Sequence, residues 1–364
     1  MAEKDAPPAS SFREFVRREY VEYFAPSKSD RPWQLPFAIA VASGLPMMLG
    51  AWLGNLAAGA IASIGAMTIV YLPRTKLDLR MVTVMAVSCA MIASFALGHT
   101  AKLVPELRVP IIALVSLLVT MACRYFRIAP PGPLFFVMAA AIGAYAPGTI
   151  GQLPRNLGLF ALGSVFAVAV SFIYSLHILR RRDPLPVQSP PSDILDEVLV
   201  DSVIIGVVTG LSLAFAELLS FDKPYWVPVS CLAVIQGSRL RLVWNRQVQR
   251  VVGTLVGLGL TWLLFRFATS PWHFAIAVPL LLFCVETIIV RHYAMAAVFI
   301  TPLAIALAES THTGSADATP LLIARFADTV LGSLMGVLGG VCIHRPSIRR
   351  HILAALERLA PRRR

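Results

Sequence analysis

The sequence predicts an all-α, polytopic membrane protein of about twelve transmembrane helices in two parallel six-helix repeats. Three observations lead there. Hydrophobic residues make up 57% of the 364 and charged ones only 14%, with a mean hydropathy of +0.72, whereas soluble domains are nearer half apolar and a quarter charged. The apolar residues gather into runs that, at roughly 20 residues per bilayer crossing, allow about twelve passes. The halves also match at one common offset, with Pro133-Leu134 falling on Pro302-Leu303 and Leu162-Gly163-Ser164 on Leu331-Gly332-Ser333. An even number of spans in each half makes the repeats parallel.

Residues 1–34 form the segment before the first span. Phe12, Phe15, Val16, Tyr20 and Tyr23 share one helical face, and Ser11 and Glu14 stand at capping-box spacing. The pattern predicts a short amphipathic helix on the inner membrane surface, with a disordered polar tail as the alternative. It lacks the basic, apolar, small-residue order of a cleaved signal, so insertion is expected to rely on the first span. The first repeat, 35–182, places spans at 35–54, 56–72, 81–97, 109–123, 130–145 and 157–179. Asn55 turns the first pair. Arg74, Lys76 and Arg80 follow the second span, Arg124 and Arg127 the fourth, and Arg180, Arg181 and Arg182 the sixth. Pro130-Pro131-Gly132-Pro133 opens the fifth, where prolines at a helix start are tolerated.

A linker, 183–197, contains Pro184, Pro186, Pro190 and Pro191. The second repeat, 198–343, places spans at 199–219, 226–236, 251–267, 274–290, 293–308 and 322–343. The tail, 344–364, sets Ile348, Ile352, Leu353, Leu356 and Leu359 on one face among arginines. It is expected to rest on anionic lipid, each basic group contributing about 1 kcal/mol near the surface.

The net charge of +12 does not imply nucleic acid, because the lysines and arginines lie in short loops and tails. With the N-terminus inside, even-numbered loops hold thirteen of them and odd-numbered loops six, counting Arg266 and Arg325 at the edges of their spans with the adjoining loops. By the positive-inside bias both termini are cytoplasmic. Cys89, Cys123, Cys231, Cys284 and Cys342 sit in or beside apolar runs without a C-x-x-C pair and read as small buried hydrophobes. The histidines are scattered at span ends, so no metal site and no cofactor is expected. The sequence has no G-x-x-x-x-G-K-[ST] phosphate loop, Ser-His-Asp grouping or H-E-x-x-H. Enzymatic activity is therefore not expected, and a pump would use the proton gradient or a partner.

Spans two, five, eight and eleven are the short or proline- and glycine-interrupted ones at corresponding places in the halves, where transporter pathways tend to lie. Tyr225, Trp226, Gln236, Arg246, Arg250 and Arg291 are the candidate pathway residues. The arginines would gather an anion from the cytoplasm, with topology as their plainer role. Tyr225 and Trp226 would stack on an aromatic substrate or else belong to the interfacial aromatic belt. Ionisable residues inside spans usually face the bundle or water. Glu286 is accordingly a candidate proton carrier, or a carboxylate hydrogen-bonded to a neighbouring span. Arg325 and Asp328 share one helix face, either as a local ion pair or as coupling residues. Gly332, Gly336 and Gly340 continue that face as a packing stripe.

Tyr225-Trp226-Val227-Pro228, then Gln236, Arg246 and Gln249-Arg250-x-x-Gly253-Thr254-x-x-Gly257 resemble the signature of the fusaric acid resistance and aromatic acid exporter superfamily of bacterial inner-membrane proteins. Arg325-x-x-Asp328-Thr329-x-x-Gly332-x-x-x-Gly336 resembles the last span of the same family. The resemblance implies a bacterial inner-membrane exporter of aromatic or other amphipathic organic acids, coupled to protons. It also implies a periplasmic adaptor protein as partner. Membrane lipids, a small organic anion and a homo-oligomer complete the expected associations. The sequence lacks the sizeable cytoplasmic domain that larger members carry after span six. Plant malate channels are distant relatives in the same resemblance, so a passive organic-anion channel is the alternative.

Overall fold

The computed structural model of the chain describes residues 29–186, 195–237, 239–309 and 319–359. The expected N-terminal amphipathic helix and most of the proline-rich linker lie outside these. Among the described residues the apolar runs appear as helices in the expected order. The first half contains α1 (Gln34–Trp52), α2 (Leu56–Ala66), α3 (Leu77–Thr100), α4 (Arg108–Tyr125), α5 (Leu134–Tyr145) and α6 (Leu153–Leu179). The second contains α7 (Leu195–Leu218), α8 (Trp226–Ile235), α9 (Leu240–Phe267), α10 (Pro271–Ile288), α11 (Tyr293–Glu309) and α12 (Thr319–His344), with α13 (Pro346–Leu359) in the tail.

Local chemistry sets several boundaries. Gly54 turns the chain after α1 with φ of +68°, a conformation that costs glycine little. The Asn55 side chain then accepts a hydrogen bond from the Ala58 N–H at 3.0 Å, capping α2. At α10, Ser270 and His273 form a reciprocal capping box ahead of Pro271. α9 begins at Leu240 rather than near 251. Arg241, Arg246 and Arg250 therefore stand on a helix and not in a tight loop. Their stretch has no glycine or proline to stop helix formation, and Arg239 supplies the extended residue before it.

Among the described residues, eight helices are long and apolar enough to cross a membrane, whereas the apolar segments Leu56–Tyr71, Leu134–Tyr145, Trp226–Ile235 and Tyr293–Ala308 are shorter. At 1.5 Å per residue, the ten residues of α8 rise about 15 Å, half a hydrocarbon core. All ten are buried, so the non-helical backbone at either end is enclosed by protein and not by lipid, as such backbone requires. The long helices turn large apolar side chains outward, among them Leu114, Leu162, Val165, Leu255, Val256 and Leu338. Buried serines and threonines line the interior.

Packing repeats between the halves. α2 packs on α6 as α8 packs on α12, α3 on α5 as α9 on α11, and α4 on α5 as α10 on α11. The contacts across the halves pair up in the same way: α1 meets α10 and α7 meets α4, while the short helices meet as α2 with α11 and α5 with α8. The four short helices thus occupy equivalent inner positions.

Side-chain contacts gather the helix termini into two groups. Arg31 ahead of α1 contacts Glu286 near the end of α10, Arg182 after α6 contacts Asp30, and His344 contacts Gly237. This is the basic end. At the opposite end Tyr145, closing α5, donates a hydrogen bond to Glu217 near the end of α7.

Candidate functional site

The site is built where α12 lies against α8. An added Cβ at Gly336 would stand 2.7 Å from the Cys231 carbonyl oxygen, so only glycine permits this spacing. Arg325 and Asp328, earlier on the same face of α12, are thereby held against the first turn of α8. The Arg325 guanidinium carbon stands 4.1 Å from the centre of the Trp226 ring, a cation–π contact worth about 2 kcal/mol when desolvated. From α9, Arg250 reaches the Ser230 hydroxyl at 3.5 Å.

Arg250, Arg325 and Asp328 are 4%, 3% and 0% exposed. Despite this burial, Nε and Nη1 of Arg325, Nε of Arg250 and both carboxylate oxygens of Asp328 have no hydrogen-bond partner among the described residues. Buried polar groups are normally satisfied, and an uncompensated buried charge is costly. These three side chains carry a net positive charge and much unused hydrogen-bonding capacity. The expected local Arg325–Asp328 ion pair is not formed, because the arginine turns to the indole instead.

An aromatic path continues toward the opposite end. Trp226 contacts Tyr225 with ring centres 5.2 Å apart, Tyr225 contacts Tyr145 at 5.8 Å, and the Arg108 guanidinium lies 4.9 Å from the Tyr145 ring centre. The interfacial-belt alternative for Tyr225 and Trp226 is thus corrected: at 8% and 4% exposure neither faces lipid, since the short α8 starts inside the bundle. Trp33, Trp244 and Trp272 are exposed, as belt residues are.

The fold does not bring all the sequence candidates together. Tyr225, Trp226, Arg250, Arg325 and Asp328 converge. Gln236 closes the other end of α8, near Gly132. Arg246 stands one turn before Arg250, 5.9 Å from the Tyr293 ring centre. Arg291 is exposed at the basic end. Glu286 also belongs to the basic end, two residues before α10 stops. Its carboxylate accepts from Arg31 at 2.7 Å, while its backbone carbonyl accepts from the same guanidinium at 3.1 Å.

Tyr145, Arg108, Glu217, Ser230 and Arg31 were not distinguished by sequence. Glu217 near the end of an apolar run was a signal of the kind that singled out Glu286. The others come from separate segments and acquire meaning only through packing. Asn156 takes the place of Arg325 at the common offset, so the charged cluster belongs to the second half alone.

The family match falls in that half. Residues 211–339 match the family model described as fusaric acid resistance protein-like. The resemblance carried by the motifs of α8, α9 and α12 is thus shown for this segment, which contains the whole Arg250, Arg325 and Asp328 cluster. The uncharacterized membrane protein YvaC of Bacillus subtilis (strain 168) is 34% identical over 148 residues, covering 41% of this chain and 23% of that protein. The similarity thus spans less than a quarter of the relative's length. No solved structure matches the chain.

Proposed function

We propose that the chain exports aromatic or other amphipathic organic acids across the bacterial inner membrane, with its termini in the cytoplasm and export coupled to protons. One observation carries the assignment. Two buried arginines have unused donors: Arg325 lies over the buried Trp226 ring, and Arg250 reaches Ser230 one turn along α8. A carboxylate takes up guanidinium donors, and an aromatic ring attached to it has Trp226 and Tyr225 to stack on. The description of the matching family, which refers to resistance to an organic acid, accords with this chemistry. Asp328, one turn along α12 from Arg325, has both carboxylate oxygens without a partner among the described residues, and Glu286 is held to Arg31. These two acids are the groups assigned to proton coupling.

The test is efflux of a panel of aromatic and aliphatic carboxylates from cells with and without the gene, at two external pH values and with an uncoupler. Uphill export that collapses with the uncoupler is expected. A steady anion current across a lipid bilayer, unaffected by the proton gradient, would replace the pump with the channel.

A further inference from the structure

The basic end contains a second charged site, apart from the buried cluster. A cavity of about 420 Å³ is lined by Arg31, Arg181, Arg182 and Arg291, together with Asp30 and Trp33. Arg31 is engaged by Glu286 at 2.7 Å and Arg182 by Asp30 at 3.2 Å. Arg181 and Arg291 are exposed and form no ion pair among the described residues. The wall therefore offers two uncommitted guanidinium groups from separate elements, the end of α6 and the turn between α10 and α11.

Immediately beside this cationic bowl is an apolar face. Trp33 is 63% exposed and Phe37, one turn along α1, is 55% exposed. Their rings meet edge to face at 6.2 Å, and Leu45 and Leu49 continue the exposed apolar surface of α1. A small soluble anion would use only the bowl. An amphiphile with an anionic head and hydrocarbon tails would use both surfaces. Tryptophan at such a boundary marks the headgroup level.

We propose that this cavity binds the phosphate of an anionic phospholipid between Arg181 and Arg291, with the acyl chains lying along the Trp33 and Phe37 face of α1. Arginine suits this role because its planar fork pairs with two phosphate oxygens at once. Zwitterionic lipid carries the same phosphate, but its ammonium meets the same arginines and is repelled. The site is therefore selective for net negative charge.

The test uses the purified full chain in mild detergent, titrated with phosphatidylglycerol, phosphatidylcholine or inorganic phosphate and followed by native mass spectrometry. Phosphatidylglycerol is expected to bind most tightly. Replacing Arg181→Gln and Arg291→Gln together should weaken it about thirtyfold, the equivalent of about 1 kcal/mol for each basic group near a headgroup. Arg181→Lys with Arg291→Lys, which keeps the charge but loses the fork, should bind between wild type and the glutamine pair and covers the case in which the glutamine pair misfolds. Arg345→Gln with Arg350→Gln in the tail should leave the tightest lipid in place. Equal retention of phosphatidylcholine, or unchanged phosphatidylglycerol binding in the glutamine pair, would overturn the proposal. Displacement of the lipid by comparable concentrations of inorganic phosphate would reassign the cavity to a free anion.

Discussion

Arg325 shows how little of a buried charge needs to be matched for it to be held. The indole of Trp226 takes one face of the guanidinium at 4.1 Å, leaving Nε and Nη1 without partners. If those donors hold a carboxylate, Arg325→Gln should weaken binding of an aromatic acid roughly tenfold to a hundredfold, the span of about 1.5 to 3 kcal/mol typical of hydrogen bonds to charged groups. The measurement is the half-saturating concentration for efflux, with membrane insertion checked by protease protection. Trp226→Phe keeps an aromatic face and should cost about fivefold, close to 1 kcal/mol of cation–π attraction. Equal efflux by wild type and Arg325→Gln would remove the arginine from the pathway. At this scale the sequence identified most members of the cluster, because an arginine or aspartate inside an apolar run is conspicuous by its cost. It did not reveal their partners. Arg325 and Asp328 stand at ion-pair spacing, yet Trp226 is ninety-nine positions away and only the α8–α12 contact brings it under the guanidinium. Nor can hydropathy tell an indole at a lipid interface from one buried at the start of an internal half-length helix.

At the scale of the element, the short helices are what the hydropathy pattern described only partly. An apolar run around Trp226 is visible in sequence, but its ten-residue length and complete burial depend on neighbours that hide its ends. The start of α9 was missed for the opposite reason. Arg239, Arg241, Arg246 and Arg250 lower the hydropathy of a stretch whose backbone is nonetheless helical from Leu240. α8 stands close to α12 only because of small residues. Gly336→Leu should therefore push α12 away from the Cys231 carbonyl and cost about 1 to 3 kcal/mol, as overpacking generally does. Gly259→Leu is the matching control, since an added Cβ there meets nothing within 4 Å. Unfolding in mild detergent should place the first variant well below wild type and the second near it. Loss of acid binding by Gly336→Leu should exceed what its stability loss explains, because Arg325 and Asp328 move with the helix. Two variants of equal stability would mean that the α8–α12 approach is not glycine-limited.

At the scale of the molecule, the two seams between the halves, α1 with α10 and α7 with α4, are each closed at the basic end by ions of opposite arrangement. On the first, Arg31 ahead of α1 meets Glu286 of α10 at 2.7 Å. On the second, Asp201 of α7 meets Arg124 of α4 and Arg349 of α13. The repeat was legible in sequence as a few matches at one offset, but these closures were not, since equivalent helices carry opposite charges: Arg31 ahead of α1 corresponds to Asp201 of α7, and Glu286 of α10 to Arg124 of α4. Arg31 and Glu286 have side chains only 12% and 5% exposed, and breaking a buried pair by removing one partner typically costs about 3 to 5 kcal/mol. Glu286→Gln or Arg31→Gln alone should therefore destabilise the bundle strongly, whereas the exchange Arg31→Glu with Glu286→Arg should recover much of the loss. A double-mutant cycle on the unfolding free energy measures the difference, and the coupling should exceed about 1 kcal/mol, outside the range of exposed surface pairs. Asp201→Asn weakens two pairs at once and should loosen α13 as well, giving proteases access to the tail while α1 and α10 stay joined. Purely additive effects of the Arg31 and Glu286 substitutions would instead mean that apolar packing alone holds the first seam. Glu286 would then be free to exchange its proton without moving either half.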